Sequence, residues 1–156
     1  MAVRSAILGA SGYTGAEMVR LLAEHSDFEI SAVSAHSLAG KRMGDVFPHL
    51  TQDCDQELLK ADDIEWSNIE AVFSCLPHKT SQDIIAELPA HVRVVDLSAD
   101  YRFRDVTTYE NAYKVRHREP ERLQTAVYGL TEHYRPKVKE AQLVACPGCY
   151  PTATLL

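Results

Sequence analysis

A glycine-rich turn near the start of the chain decides the fold: Gly9-Ala10-Ser11-Gly12-Tyr13-Thr14-Gly15. The apolar run before it, residues 2–8, predicts a buried strand. After it, residues 16–25 carry apolar side chains at the spacing of an amphipathic helix. A strand, a glycine turn and a helix in this order are typical of the first unit of a parallel sheet that binds a dinucleotide.

The glycines are spaced as G-x-x-G-x-x-G, a variant of the standard G-x-G-x-x-G fingerprint. Gly9 would allow a tight turn, Gly12 a close approach of pyrophosphate, and Gly15 close packing of the helix on the strand. Free N–H groups at the helix N-terminus favour a phosphate. The alternative is a glycine turn without a ligand, but its place between a strand and an amphipathic helix favours nucleotide binding.

The end of the second predicted strand, residues 28–34, indicates which dinucleotide would bind. NAD sites usually place an Asp or Glu there to bind the ribose 2′-hydroxyl. This chain has hydroxyls at Ser34 and Ser37 instead, followed by the cations Lys41 and Arg42. Hydroxyls and cations suit a 2′-phosphate, so the sequence predicts NADP. The alternative is that the two cations belong to a solvated loop.

Strands and helices alternate along the rest of the chain. We predict a helix at residues 81–88 capped by Thr80, and a last helix beginning near Pro151. The other predicted strands are 71–76, 92–97 and 142–145, and the other predicted helices are 107–114 and 135–140. This alternation predicts an α/β fold with a Rossmann-like, doubly wound and mainly parallel sheet. The C-terminal ends of such strands share one rim, where ligands bind.

Length and composition limit the classes of function. The 156 residues suffice for one domain with a core. A net charge of -6 argues against nonspecific binding to nucleic acid or to an anionic membrane surface. No apolar run approaches the ~20 residues of a membrane span. Four cysteines without a dense framework suit a reducing compartment. We therefore expect a cytoplasmic protein, or a plastid one if a transit peptide has been removed.

A cysteine pair lies near the end of the chain, in the sequence ACPGCYPT at residues 145–152. Pro151 suits the first position of a helix, which would place Cys149 just before a helix N-terminus, where a thiolate is stabilised. Gly148 would permit a sharp turn that exposes the sulfur. A thiolate and a dinucleotide turn in one chain indicate attack on an acyl group followed by hydride transfer.

Other interpretations of this pair stay open from the spacing alone. A C-x-x-C pair at a helix start is also used by thiol–disulfide oxidoreductases. A structural zinc site needs four ligands, and the other two cysteines show no second C-x-x-C spacing, so we predict no metal. For Cys146, which ends a predicted strand, a small buried structural residue is the favoured interpretation.

Five motifs resemble those of the N-acetyl-gamma-glutamyl-phosphate reductase family, enzymes of arginine biosynthesis related to aspartate-semialdehyde dehydrogenase. They are GASGYTGAE at 9–17, CLPH at 75–78, SADYR at 98–102, VYGL at 127–130 and PGCYPT at 147–152. The resemblance covers essentially the whole chain, with the motifs in matching order, and PGCYPT is its specific part. It implies an oxidoreductase that uses NADP to reduce an acyl phosphate to a semialdehyde.

The resemblance also implies roles for individual residues. Cys149 would attack the acyl phosphate of N-acetylglutamate, expel phosphate and form a thioester that NADPH reduces. Arg102 resembles a family arginine near the active site and would contact the substrate, a buried ion pair being the alternative. Asp100 would order its loop, and His78 would be a loop residue rather than a catalytic one. The implied cofactor contacts are Gly9, Ser11, Gly12, Tyr13, Thr14, Gly15, Ser34, Ser37, Leu76 and Pro77.

Two departures from the family matter. Its members often have Asn where Cys146 stands, so Cys146 is expected to be dispensable. They are also longer, and the resemblance implies a substrate and dimerisation domain, with an acid/base histidine, that this chain lacks. We therefore interpret residues 1–156 as one NADP-binding domain that ends just after the cysteine loop, and expect the full-length form to be a homo-oligomer acting on a small acyl phosphate. We expect the chain alone to bind NADPH but to lack normal turnover. A regulatory NADP-binding module and an aspartate-semialdehyde dehydrogenase-like reductase are the alternatives.

Overall fold

A computed structural model describes the whole chain, Met1–Leu156. The chain divides into two compact units. The first comprises Met1–Cys75 and Pro89–Val92, and the second comprises Leu76–Leu88 and Arg93–Leu156. Both are built from parallel strands with helices between them. No helix combines the length and the apolar character needed to cross a membrane.

The first unit contains the glycine turn and four parallel strands in the order β3-β2-β1-β4. Its strands are β1 (Val3–Leu8), β2 (Phe28–Ser34), β3 (Leu58–Leu59) and β4 (Ala71–Ser74). Its helices are α1 (Tyr13–Ala23) and α2 (Met43–Val46), with 3-10 turns at Pro48–Leu50, Ala61–Asp63 and Trp66–Asn68. Ser34, the last residue of β2, therefore lies beside the turn that follows β1.

The core of the first unit lies between α1 and the two strands that flank it in the chain, β1 and β2. Ile7, Val19 and Val33 are fully buried, because β1, β2 and α1 each turn an apolar face to the same space. Met43 of α2 and Leu58 of β3 are fully buried in the same core. Burial of five such side chains contributes roughly 1.5–3 kcal/mol each, which anchors the strands that carry the glycine turn.

The second unit contains the cysteine loop and three parallel strands in the order β5-β7-β6. Its strands are β5 (Arg93–Asp96), β6 (Val127–Tyr128) and β7 (Leu143–Ala145). Its helices are α3 (Thr80–Glu87), α4 (Val106–Tyr113), α5 (Pro120–Thr125), α6 (Thr131–Glu140) and α7 (Cys149–Leu155). Because β5 and β7 are parallel neighbours, their C-terminal ends bring Asp96 close to the backbone of Cys146.

The predicted fold class, a Rossmann-like parallel α/β arrangement, is confirmed. The five predicted strands are all present, and β2 has the predicted bounds. The sequence did not indicate β3, β6 or α5. The two missed strands have two residues each, too few to show a period of their own.

Several predicted helix starts differ from the structure. α1 begins at Tyr13 rather than at residue 16, and α6 begins at Thr131 rather than at residue 135. Thr80 does not cap α3: it is the first helical residue, and Lys79 is the N-cap with a left-handed φ of 75°. The missing cap is supplied from another loop, because Asp100 accepts hydrogen bonds from the backbone N–H groups of Lys79 and Gln82. The last helix begins at Cys149, two residues before Pro151, so the cysteine is inside the helix.

Candidate functional site

The glycine turn of the first unit is fixed by backbone hydrogen bonds. Gly9 has a φ of 74°, which side-chain-bearing residues rarely adopt. The N–H of Gly12 donates to the Gly9 carbonyl at 3.1 Å, and the N–H of Ala10 donates to the Ser34 carbonyl at 2.8 Å. The turn is therefore held against the end of β2 while it reverses the chain into α1.

Gly15 and Gly12 have different roles in this turn. A Cβ added at Gly15 would lie 2.3 Å from the Gly9 carbonyl oxygen and 2.6 Å from the Ala10 Cα, so this position tolerates glycine alone. A Cβ at Gly12 would meet only the Gly9 oxygen, at an ordinary 3.5 Å. Gly15 thus serves the packing of α1 on the turn, and the space over Gly12 leaves its backbone open to a ligand.

The N-terminus of α1 has the properties of an anion site. Gly12 is its N-cap, no side chain caps the helix, and its first turn contains no acid. Tyr13 and Thr14 are exposed and Ser11 is half-buried. An uncapped helix start with open backbone beside it is the arrangement that binds a pyrophosphate.

The residues expected near a 2′-phosphate differ in their exposure and in their hydrogen-bond partners. Ser34 is only 2% exposed, whereas Ser37 and Lys41 are exposed. Arg42 is paired with Asp55: its Nε donates to the carboxylate at 2.8 Å, and its Nη2 donates to the carbonyl of the same residue. Ser37 and Lys41, together with His36, are therefore exposed polar groups at this strand end that lack such a pairing.

The remaining predicted cofactor contacts, Leu76 and Pro77, begin the second unit. Leu76 is half-buried and Pro77 is exposed. His78, which follows them, is exposed with its ring centroid 5.7 Å from that of Tyr113, and it makes no hydrogen bond to Cys149. The ring contact fits the loop role expected of His78.

Asp100 is the polar centre of the second unit and is fully buried. Its carboxylate accepts the Lys79 N–H at 2.9 and 2.8 Å, the Gln82 N–H at 3.1 Å and the Tyr109 hydroxyl at 2.7 Å. Burial, followed by this contact with Asp100, raises the pKa of Tyr109. The ring of His117 contacts the Asp100 carbonyl at 3.1 Å. Asp100 thus orders the start of α3, which fits the loop role expected of it.

The two cysteines of the loop have different surroundings. Cys149 is exposed at the first residue of α7, whereas Cys146 is half-buried just after β7. Burial, followed by the charge of Asp96, raises the pKa of the Cys146 thiol to about 11, with Arg102 opposing both effects. Cys146 is therefore a neutral thiol at physiological pH, and Cys149 is the sulfur that reagents in solution can reach.

Arg102 makes contacts that the sequence did not indicate. Its Nε donates to the Cys146 carbonyl at 2.8 Å and its Nη2 donates to the Leu97 carbonyl at 3.0 Å. The ion pairs recorded in the structure do not include Arg102. The guanidinium thus binds backbone carbonyls rather than a carboxylate. Arg102 and Cys146 are 44 residues apart in the sequence. No local pattern signals a contact of that separation.

No group of three or more His, Cys, Asp or Glu side chains in the structure is arranged to hold a metal ion. The groups that the structure does present are an open glycine turn in the first unit and an exposed thiol in the second. Such groups are able to hold a phosphate-containing cofactor and to attack an electrophilic carbon.

Comparison with known proteins agrees with this arrangement. The family model for the semialdehyde dehydrogenase, NAD binding domain, matches residues 4–141. The chain is 55% identical over 155 residues to a probable chloroplastic N-acetyl-gamma-glutamyl-phosphate reductase of Oryza sativa, covering 99% of this chain and 37% of that protein. It is 50% identical over 153 residues to the N-acetyl-gamma-glutamyl-phosphate reductase of Rhodobacter capsulatus, covering 98% and 45%.

Solved structures support the fold. Aspartate semialdehyde dehydrogenase II of Vibrio cholerae matches with a TM-score of 0.70 and 19% identity, over 99% of this chain and 44% of that one. The Candida albicans aspartate semialdehyde dehydrogenase structure with NADP matches with a TM-score of 0.63 and 20% identity, over 94% and 42%. The chain spans less than half the length of these curated relatives and structures. Since the family model covers most of the sequence, the chain belongs to the semialdehyde dehydrogenase, NAD binding domain family.

Proposed function

We propose that residues 1–156 form the NADP-binding domain of an N-acetyl-gamma-glutamyl-phosphate reductase and carry its nucleophile, Cys149. The observation that carries this proposal is the exposed thiol of Cys149 at the first residue of α7, within PGCYPT. Identity of about half to curated reductases over nearly the whole chain supports the choice of substrate family.

The glycine turn is the proposed pyrophosphate site. The uncapped start of α1 and the open space over Gly12 fit a phosphate-containing cofactor. Ser11, Tyr13 and Thr14 would contact it from the turn. For Leu76 and Pro77, which belong to the second unit, the cofactor contact stays a prediction of the sequence. Ser37, with Lys41, would bind the 2′-phosphate that distinguishes NADP from NAD. Ser34 would contribute through its backbone position, because its side chain is buried.

The chemistry assigned to this chain is acyl transfer to sulfur. The thiolate of Cys149 attacks the acyl carbon of N-acetylglutamyl phosphate, a carbon–sulfur bond forms, and the carbon–oxygen bond to phosphate breaks. NADPH, when bound, supplies the hydride that reduces the acyl group to the semialdehyde. Reduction returns the sulfur of Cys149 to its thiolate form. Arg102 would contact the substrate through its Nη1 group, since Nε and Nη2 already donate to carbonyls.

Surroundings and assembly are part of the same proposal. The substrate is a small acyl phosphate, and the full-length form is proposed to be a homo-oligomer. Two plant relatives are named chloroplastic, whereas the reductase of Rhodobacter capsulatus is bacterial. We accordingly propose a plastid or cytoplasmic location, without a membrane as a binding partner.

An acylation experiment tests the proposal. The chain is mixed with N-acetylglutamyl phosphate or with aspartyl phosphate, and its intact mass and the released phosphate are measured together. We expect one acyl group on Cys149 per chain, with an equal amount of phosphate, and faster reaction with the acetylglutamyl compound.

Matched variants decide which sulfur reacts. Cys149→Ser should abolish acylation, whereas Cys146→Ser should leave it largely intact. Loss of acylation in both variants would favour a dithiol redox protein. Absence of acylation in the unmodified chain would favour a cofactor-binding module, and a preference for aspartyl phosphate would favour an aspartate-semialdehyde dehydrogenase-like enzyme.

A further inference from the structure

We propose that Arg102 is a positioning residue that fixes the loop Cys146–Gly148 and thereby the place of Cys149. The inference rests on the proposed function, because it gives Arg102 a role in presenting the proposed nucleophile. It concerns the second unit alone, where every contact described below lies.

Arg102 ties together the ends of two neighbouring strands. Leu97 follows β5 and Cys146 follows β7, and these strands pair in parallel. The guanidinium donates from Nε to the Cys146 carbonyl at 2.8 Å and from Nη2 to the Leu97 carbonyl at 3.0 Å. A planar fork with donors at fixed angles suits two carbonyls, whereas a lysine ammonium has a single nitrogen at the end of a flexible chain.

Cys146 is held from its other side as well. Its N–H donates to the Asp96 carbonyl at 2.8 Å. The carboxylate of Asp96 is fully buried and accepts the hydroxyls of Ser81 at 2.6 Å and Ser98 at 2.5 Å. Both backbone groups of Cys146 are therefore anchored, one to a rigid buried site and one to Arg102.

Gly148 lets the guanidinium lie against the loop. Its φ of -70° and ψ of 158° are open to any residue, so the sharp turn predicted for it is not the reason for glycine. A Cβ there would lie 3.2 Å from Arg102 Nη1 and 3.3 Å from Pro151 Cδ, both tighter than usual contacts. Thr152 then donates its N–H and its hydroxyl to the Gly148 carbonyl at 3.0 and 2.9 Å.

These contacts leave Cys149 little freedom. The residues before it are held by Arg102 and by the end of β5, and the helix that it begins is closed onto Gly148. A nucleophile contributes most when its geometry is fixed before the substrate arrives. Arg102 therefore acts on Cys149 through the backbone of the loop, independently of any contact with substrate.

The test compares two substitutions of Arg102 with matched controls. Arg102→Lys keeps the charge but loses the fork, and Arg102→Gln loses both. Arg104 is exposed in the same segment, so Arg104→Lys and Arg104→Gln control for a general loss of charge. Far-UV circular dichroism checks that each variant folds, and Gly148→Ala perturbs the same contact without altering Arg102.

Two readouts are measured on the chain without cofactor or substrate. Amide hydrogen exchange at Cys146 should accelerate about tenfold in both Arg102 variants, the effect of losing one hydrogen bond of typical strength. Iodoacetamide alkylation of Cys149, located by peptide mass spectrometry, should change about threefold at a fixed pH, because the backbone that presents the sulfur is no longer held in one place. Gly148→Ala should change both readouts in the same direction.

An alkylation rate of Cys149 in Arg102→Lys equal to that in the unmodified chain would overturn the inference, since the charge alone would then suffice. So would unchanged exchange at Cys146 in both variants, or equal effects of the Arg104 substitutions. These readouts need no acyl phosphate. A positive result therefore stands even where Cys149 is not acylated, and the two proposals fail separately.

Discussion

Replacing Asp100 with alanine should strongly destabilise the second unit. The carboxylate is fully buried and accepts hydrogen bonds from the Lys79 N–H, the Gln82 N–H and the Tyr109 hydroxyl. Two of these donors belong to the start of α3, which no side chain of its own caps. Alanine would leave all three donors without this acceptor, in a site where burial restricts water.

The magnitude follows from the kind of bond that is lost. A hydrogen bond to a charged group contributes about 1.5–3 kcal/mol, and such contributions add poorly within one network. We expect Asp100→Ala to lower the free energy of unfolding by about 3–5 kcal/mol, a large share of the 5–15 kcal/mol typical of a domain. Asp100→Asn keeps one acceptor oxygen and should cost about 2 kcal/mol. Tyr109→Phe removes one bond and should cost about 1 kcal/mol.

Urea unfolding followed by far-UV circular dichroism measures these changes. The single tryptophan, Trp66, lies in the first unit, so its fluorescence provides a separate signal from a unit that lacks the substitution. Hydrogen exchange at the Lys79 and Gln82 amides locates the effect at α3. Lys79→Gly should stabilise the chain by about 1 kcal/mol, because it relieves the positive φ that Asp100 holds in place. An Asp100→Asn chain within the error of the unmodified one would refute this reasoning.

Three further predictions concern single positions. Gly15→Ala should destabilise the chain severely, because its Cβ would lie 2.3 Å from a backbone oxygen, whereas Gly12→Ala should unfold like the unmodified chain and still weaken NADPH binding. Urea unfolding and NADPH titration of the two variants distinguish helix packing at Gly15 from cofactor access at Gly12. Equal stabilities of the two variants would contradict this assignment. Alkylation of Cys146 should reach half its maximal rate near pH 11, since a thiol whose pKa is raised to about 11 stays neutral below that pH. Peptide mass spectrometry measures the alkylation rate at each pH, and rapid labelling of Cys146 near neutral pH would contradict its burial. Hydrogen bonds from Thr108 hold the pKa of Asp105 below its usual range at the start of α4. The contribution of Asp105 to stability is therefore present above the pKa of the unfolded chain and is lost as the pH falls through the lower pKa of the folded chain. Asp105→Asn should make acid unfolding less steep. Identical acid unfolding curves of the variant and the unmodified chain would argue against this contribution.

The part of the fold that local pattern determines was predictable. β1, β2 and the turn between β1 and α1 follow from apolar runs and from glycines, whose roles depend on residues only a few positions apart. Gly9 has the positive φ and Gly15 the close contact that the fingerprint predicts. In contrast, β3 and β6 have two residues each, and pairing with β2 and β7 defines them rather than their own sequence.

The same distinction holds for the candidate site. PGCYPT placed Cys149 at a helix start within two residues, because Pro151 is a local signal. The cap of α3 was assigned to the nearest hydroxyl, Thr80, whereas the actual acceptor, Asp100, comes from a loop about twenty residues later. The contact between Arg102 and the Cys146 carbonyl is longer still in sequence, and depends on which strands become neighbours.

Equilibrium binding of NADPH and NADH to the 156-residue chain tests the central claim most directly, since the chain is proposed to hold an NADP cofactor at its glycine turn. Titration of each nucleotide followed by isothermal calorimetry gives the stoichiometry and the ratio of affinities. We predict saturable binding of one NADPH per chain, and weaker binding of NADH because it lacks the 2′-phosphate that Ser37 and Lys41 would contact. Absence of NADPH binding, or binding of NADH as tight as that of NADPH, would contradict the account.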